Sequence, residues 1–316
     1  MKSARLGRSP VEVTALGFGG AGVGNLLGAV DDDVAAATVD AAWEAGIRFF
    51  DTAPHYGLGL SERRIGAALA GRPRDSYAVS TKVGRLLEPG PGTGVDTEGF
   101  AVPDDRVRRW DFSADGVRRS LESSLDRLGL DRVDVLLMHD PDDHWAQAVA
   151  EAYPALHELR SQGVIGAIGV GMNQWQLLDR FVRETDIDVV MLAGRHTLLD
   201  RSGAEVLLPR CVDRGVSVLA AGVFNSGILA TDTPGGTYDY RPAASGLRDR
   251  AARIAAICAS HGVRLPQAAM AYAGRHPAVA SVVVGAQDPD QVRRNAELFA
   301  TPVPDALWSD LDEEHP

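Results

Sequence analysis

Asp51, Tyr56, Lys82 and His139 are the residues whose types and positions suit proton transfer. Asp51 ends the apolar run Ile47, Phe49, Phe50 and opens the segment Asp51-Thr-Ala-Pro-His-Tyr56-Gly, which sets a carboxylate and a phenol at the mouth of a buried strand. Tyr77-Ala-Val-Ser-Thr-Lys82 ends in a lysine, and Val133-Asp-Val-Leu-Leu-Met138 runs into His139. A phenol ionises near pH ~10, too high to act as a base near neutrality, so it needs a cation beside it that favours the tyrosinate. Lys82 supplies that cation, and a carboxylate at Asp51 keeps the ammonium charged and aimed. An imidazole at His139 gives or accepts a hydrogen bond at a substrate oxygen. The set suggests proton exchange beside a hydride donor.

These residues are far apart in sequence, so the elements must bring them together. Eight short apolar runs read as strands: Val13–Gly19, Ile47–Asp51, Tyr77–Lys82, Val133–His139, Ala167–Gly171, Val189–Leu192, Val216–Ala220 and Val279–Gly285. They are dense in Val, Ile, Leu and Ala rather than alternating, as parallel strands buried on both faces are. Amphipathic stretches separate them: Asp32–Ala45, Ser61–Ala70, Ser113–Leu128, Trp145–Ser161, Gln174–Glu184, Gly203–Arg214, Gly246–Ser260 and Asp288–Phe299. Gly46, Gly129, Gly163, Gly215 and Gly262 follow five of them as helix stops. The rhythm predicts an α/β fold, a (β/α)8 TIM barrel in one domain over residues 1–316, with all strand C-termini opening on one face. Arg5 to Val13 reads as a hairpin that plugs the barrel bottom. The stretches Leu86–Phe112 and Asn225–Ala244, rich in Gly, Pro and polar residues, read as long loops on the catalytic face. A doubly wound dinucleotide fold is the runner-up, but the Gly17 to Gly24 stretch lacks its tight spacing and its acidic partner.

The formal charge of −11 argues against a nucleic-acid or anionic-membrane partner. Arg106, Arg108 and Arg109 read as a solvated loop diluted by acidic neighbours. Two cysteines, Cys211 and Cys258, both in helix-like segments, make a disulfide framework unexpected. No run of ~20 apolar residues and no signal-like N-terminus is present, so a cytoplasmic protein is expected.

The chain resembles the aldo-keto reductase family. The matching pieces are Asp51-Thr-Ala with Tyr56-Gly and Ser61-Glu62, Lys82 after Ser80-Thr, the stretch Arg119 to Gly129, Asp134 with His139, and Gly166 to Asn173. They occur in order across nearly the whole chain. The resemblance assigns Asp51, Tyr56, Lys82 and His139 the catalytic roles, with Tyr56 as the acid/base. Each alone has an ordinary reading: a helix cap, a loop aromatic, a surface lysine, a histidine satisfied in a turn. All four at strand ends in family order favour the chemistry.

Within that family, Ala53 to Glu62, His139-Asp140, Gly169 to Asn173 and Leu192 to Asp200 resemble the branch of sugar dehydrogenases acting at C1, together with pyridoxal 4-dehydrogenases. This implies oxidation of an aldose of the L-fucose or D-arabinose type to its lactone, with a sugar or carbonyl as small-molecule substrate. The alternatives are an NADPH-dependent aldehyde or ketone reductase, a pyridoxal dehydrogenase, and a non-catalytic nicotinamide-binding subunit.

The resemblance also implies a cofactor site at Gly20, Asn173, Phe224, Gly285, Gln291, Arg294 and Asn295. Asn173 faces the nicotinamide carboxamide, and Asn295 the adenine. A glutamine common on the sixth strand is replaced by Ala193, and the stacking aromatic falls near Ala221-Gly222, with Phe224 or Arg195 as substitutes. The start of the Asp288 helix is expected to offer free amides to phosphate. Gly285 and Gln291 stand where NADP-preferring members carry cations, which tilts the expectation to NAD, with NADP open through Arg293 or Arg294.

Asp140 is placed on the substrate side with Trp110, and Phe112 and Trp175 are further candidates for stacking on a sugar. The three aromatics equally fit as loop anchors. His139-Asp140-Pro-Asp142-Asp143-His144 offers ligand types without ligand spacing, so no metal is expected, and Asp142 or Asp143 is read as capping the helix at Trp145.

Overall fold

The computed structural model describes residues 1–314. The chain opens with an antiparallel hairpin, β1 (Ser3–Arg5) and β2 (Glu12–Thr14), and then enters the barrel through β3 (Leu16–Gly19), β4 (Phe49–Asp51) and β5 (Ala78–Val83). An antiparallel ribbon, β6 (Arg85–Pro89) and β7 (Arg106–Trp110), leaves the barrel after β5. The barrel continues through β8 (Val135–His139), β9 (Ala167–Met172), β10 (Val189–Ala193) and β11 (Ser217–Ala221). After a two-residue ladder of β12 (Thr237–Tyr238) and β13 (Arg241–Pro242), strand β14 (Val279–Gly285) pairs with β3 and β11 and closes an eight-stranded parallel barrel.

The strands lack polar alternation because both of their faces are buried. In β8, Leu136 and Met138 pack outward with the helices, whereas Val135 and Leu137 pack inward with Phe49, Ala78, Ala167, Val189 and Leu219. The two-residue period then decides what stands at the C-terminal mouth. Phe49 points inward, so Asp51 does too; Ala78 fixes Lys82; Val135 and Leu137 fix His139. At the other mouth Leu6, Val11 and Val13 join this inner core, so the hairpin is the expected plug. Burying each such side chain is worth ~1.5–3 kcal/mol.

The first predicted strand divides at Ala15, its beginning belonging to the hairpin and only Leu16–Gly19 to the barrel. The stretch Leu86–Phe112 is not a plain loop, because its two ends pair as the β6–β7 ribbon. Gly84 makes the turn into that ribbon at φ +105°, with the Phe112 ring where a Cβ would lie. The Trp145–Ser161 helix contains a π turn at Ala148–Ala152. The Gly203 helix begins only at Leu207. Helices Leu265–Ala273 and Asp305–Glu313 were not anticipated. All five predicted stop glycines have positive φ, between 63° and 84°. Cys211 and Cys258 are buried and unpaired, and no helix is long and apolar enough to cross a membrane among the described residues.

Candidate active site

The mouth formed by β4, β5 and β8 gathers the four residues. Lys82 Nζ donates to both Asp51 carboxylate oxygens, at 2.9 and 2.8 Å, to the Thr52 carbonyl at 2.9 Å, and to the Tyr56 hydroxyl at 3.1 Å. Ser80 Oγ adds a 2.7 Å bond to Asp51 Oδ1. The Lys82 side chain is 1 % exposed and that of Asp51 4 %, so the ion pair lies in low dielectric, where losing either partner strands a charge. Two residues of the helix that follows Tyr56, Leu60–Leu69, brace the set from behind. Ser61 bonds Thr52 at 2.7 Å and the Gly20 carbonyl at 2.8 Å, and Glu62, paired with Arg127, accepts from Thr81 at 2.7 Å.

Burial sets the electrostatics. It pushes the Tyr56 phenol up to about 12, against the pull of Lys82 in the other direction. The expected lowering of the phenol by its lysine is therefore corrected: desolvation of a phenolate outweighs one cation that Asp51 already neutralises. Burial alone lowers the Lys82 ammonium, but Asp51 and Tyr56 overcome it, so its net shift is upward. His139 is driven well below the usual imidazole range by burial and then by Arg85 and Lys82, and stays neutral. Its ring stands perpendicular to Tyr56 at 5.9 Å, and its Nδ1 is buried without a partner. A buried N–H costs more unpaired than a bare ring nitrogen, so the proton belongs on Nε2.

A cavity of about 190 Å³ lies over this mouth, lined by His55, Tyr56, His139, Asp140, Asn173 and Tyr240 among others. An elongated groove of about 380 Å³ adjoins it and shares Tyr56, Met191, Ala193, Gly222 and Tyr240 with it. Gly20, Phe224, Gly285 and Gln291 line the groove, so four of the seven predicted cofactor residues meet there. Asn173 faces the cavity over the mouth and donates to the Ala193 carbonyl at 2.9 Å.

The remaining predictions divide. Arg294 is exposed on its helix, and Asn295 lines a separate recess of about 10 Å³ under Val284 and Leu16, so neither reaches the groove lining. The Asp288 helix offers fewer free amides than expected: the Asp288 carboxylate takes the Gln291 amide at 2.8 Å, the Gln291 side chain takes the Gln287 amide at 3.0 Å, and Pro289 has none, which leaves the Asp290 amide in the first turn. Arg195 is committed to Asp239, whereas Phe224 lines the groove with Tyr56 and Tyr240. Trp110 is outside the cavity lining, stacked on Phe112 and under the Arg85 guanidinium. Phe112 is fully buried as a loop anchor, and Trp175 packs against the outer core. Asp142 and Asp143 sit inside a 3-10 turn and make no capping bond, which corrects their expected role. Arg108 is not solvated, its side chain being 7 % exposed against Asp96, whereas Arg109 is open.

His55, Arg85 and Tyr240 were missed. His55 and Arg85 adjoin Tyr56 and Lys82 in sequence and could have been found by that adjacency. Tyr240 had no such signal; a turn with two residues of positive φ, Asp239 and Tyr240, carries it over Tyr56.

The model of the aldo/keto reductase family matches residues 15–315. The chain is 50 % identical to a D-threo-aldose 1-dehydrogenase of Pseudomonas sp, covering 95 % of this chain and 94 % of that one. It is 38 % identical to a pyridoxal 4-dehydrogenase of Microbacterium luteolum, covering 98 % and 96 %. Among solved structures, the holo form of an aldo-keto reductase from Bacillus halodurans superposes with a TM-score of 0.80 at 28 % identity, covering 99 % of this chain and 96 % of that one.

Proposed function

This chain belongs to the aldo/keto reductase family of oxidoreductases, and on that premise we propose that it is a nicotinamide-dependent dehydrogenase that oxidises an aldose at C1 to its lactone. The observation that carries the reading is the Tyr56 hydroxyl, held at 3.1 Å by a buried, Asp51-paired Lys82 where the cavity and the groove meet. The 50 % identity to a D-threo-aldose dehydrogenase supports the substrate class.

The residues present fit a dinucleotide. The groove ends beside Tyr56, Phe224 offers a flat ring, and Asn225 Oδ1 is buried beside the cavity without a partner, as an acceptor for a carboxamide would be. A bound nicotinamide supplies the hydride acceptor. Tyr56, as the phenolate, takes the C1 hydroxyl proton, and the Lys82 ammonium stabilises that phenolate. Neutral His139 donates through Nε2 to the same oxygen and fixes its direction. In the reverse direction the protonated phenol is the acid.

No lysine or arginine lines the groove among the described residues, and Asp288 and Asp290 stand at the helix start beside it. Both features support NAD over NADP, since a 2′-phosphate needs cations. Assaying an aldose panel with NAD and NADP, with mass spectrometry of the product, tests the reading. Lactone or aldonic acid from an L-fucose or D-arabinose type sugar, with NAD the better cofactor by about tenfold or more in kcat/KM, is expected. Turnover of pyridoxal or simple carbonyls with no aldose oxidised would overturn it.

A further inference from the structure

His55 lines the catalytic cavity but is not one of the four residues that hold the proton site. Several contacts fix it, with the Glu98 carboxylate at 3.8 Å from its Nδ1, beyond hydrogen-bond reach. Arg85 Nη1 lies 3.2 Å from its Nδ1, Phe100 stands edge-on to its ring at 5.1 Å, and Arg108 donates to its carbonyl at 3.0 Å. An arginine can only donate, so Nδ1 is the acceptor and the ring proton sits on Nε2. Burial, with Arg85 and Arg108 beside it, holds the imidazole down to about 2, so it stays neutral at any working pH. The side chain remains 15 % exposed. Its Nε2 has no protein partner among the described residues.

Resting on the aldose reading above, we propose that His55 is a specificity-determining residue whose Nε2–H binds the hydroxyl on the carbon next to the reacting one. The His55 and His139 rings stand 5.5 Å apart at 74°, so the cavity wall presents two imidazole donors side by side, as neighbouring oxygens of a sugar require. The other arm of Arg85 holds Asp140 on the same wall, its side chain 30 % exposed. A hydroxyl both accepts and donates, and His55 with Asp140 supplies one partner for each role; a methylene at the same place would leave both unpaired. Arg85 thus sets the geometry of both recognising groups while touching neither the reacting oxygen nor Tyr56.

The test compares sugars that differ only in the oxygen at C2, D-arabinose with 2-deoxy-D-ribose and L-fucose with its 2-deoxy form, in the wild type, His55→Leu and His55→Gln. The wild type is expected to prefer the 2-hydroxy sugar by roughly ten- to a hundredfold in kcat/KM. His55→Leu should shrink that preference about tenfold, and His55→Gln, which keeps an N–H donor, should retain part of it and remains informative where the Leu variant fails to fold. An unchanged preference in both variants, or none in the wild type, overturns the role of His55 while the dehydrogenase reading stands. A wild type that oxidises carbonyls but no aldose overturns both.

Discussion

The two mouths of the barrel use their charged groups differently. At the mouth closed by the hairpin, carboxylates serve the backbone: Asp134 accepts the Val79 amide at 2.7 Å beside Arg74, and Asp188 accepts the Ile168 amide at 3.0 Å beside Arg160. At the opposite mouth, Asp51, Lys82 and Tyr56 bond one another around a hydroxyl that borders a cavity, and His139 Nδ1 and Asn225 Oδ1 are left without partners. The hairpin mouth holds the larger hollow, about 920 Å³ against about 190 Å³. Volume therefore does not mark the site. Convergent, buried, shifted groups with spare hydrogen-bonding capacity do.

The largest test of this contrast is Lys82→Met. Removing the cation leaves Asp51 buried and unpaired, so denaturant unfolding should show a loss of about 3–5 kcal/mol, and kcat should fall by on the order of 10²-fold or more. Adding Asp51→Asn should restore stability but not turnover; recovery of both would remove Lys82 from the chemistry.

The pH profile sharpens the same point. With the phenol raised to about 12 from its usual value near 10, the phenolate fraction still grows roughly tenfold per pH unit across the assay range. Oxidation kcat/KM should rise without a plateau from about pH 7 to pH 10, while reduction, which uses the protonated phenol, stays flat. A plateau in oxidation by about pH 8 would mean that another group is the base.

The smallest effect on turnover belongs to the other mouth. Asp134→Ala strips the partner from the Val79 amide and from Arg74, and should cost about 1–3 kcal/mol in unfolding experiments. It should leave kcat within about twofold, because nothing there touches the proton site. A tenfold loss of kcat in the folded variant would break the division between the mouths.

The contrast also explains what was legible in the sequence. Asp51 and His139 could be placed because strands buried on both faces give apolar runs that end at the residue facing the mouth, and Lys82 because it stands one residue before the end of a strand buried throughout, Ala78–Val83. Tyr56 followed from a short, glycine-bounded loop. The groove was legible only in part: Gly20, Phe224, Gly285 and Gln291 meet in it, but two of the amides around the Asp288 helix start are already taken by side chains. Asp288 is itself an N-cap, and a cap consumes one of the donors that a phosphate would use. The β6–β7 ribbon was hidden because Arg85–Pro89 and Arg106–Trp110 are strands with one partner each and much charge, so they lack an apolar run. His55 and Arg85 lie within three residues of Tyr56 and Lys82, so nearness in sequence could flag them, but what they do rests on a contact across 30 positions that only the fold shows.

The account stands on Tyr56 as the group that exchanges the proton, and Tyr56→Phe tests that most directly when single-turnover hydride transfer and NADH binding are measured on the same preparation. Removing one hydroxyl should lower the hydride-transfer rate by on the order of 10²-fold or more while NADH binding stays within about twofold. A variant that transfers hydride at close to the wild-type rate would contradict the assignment.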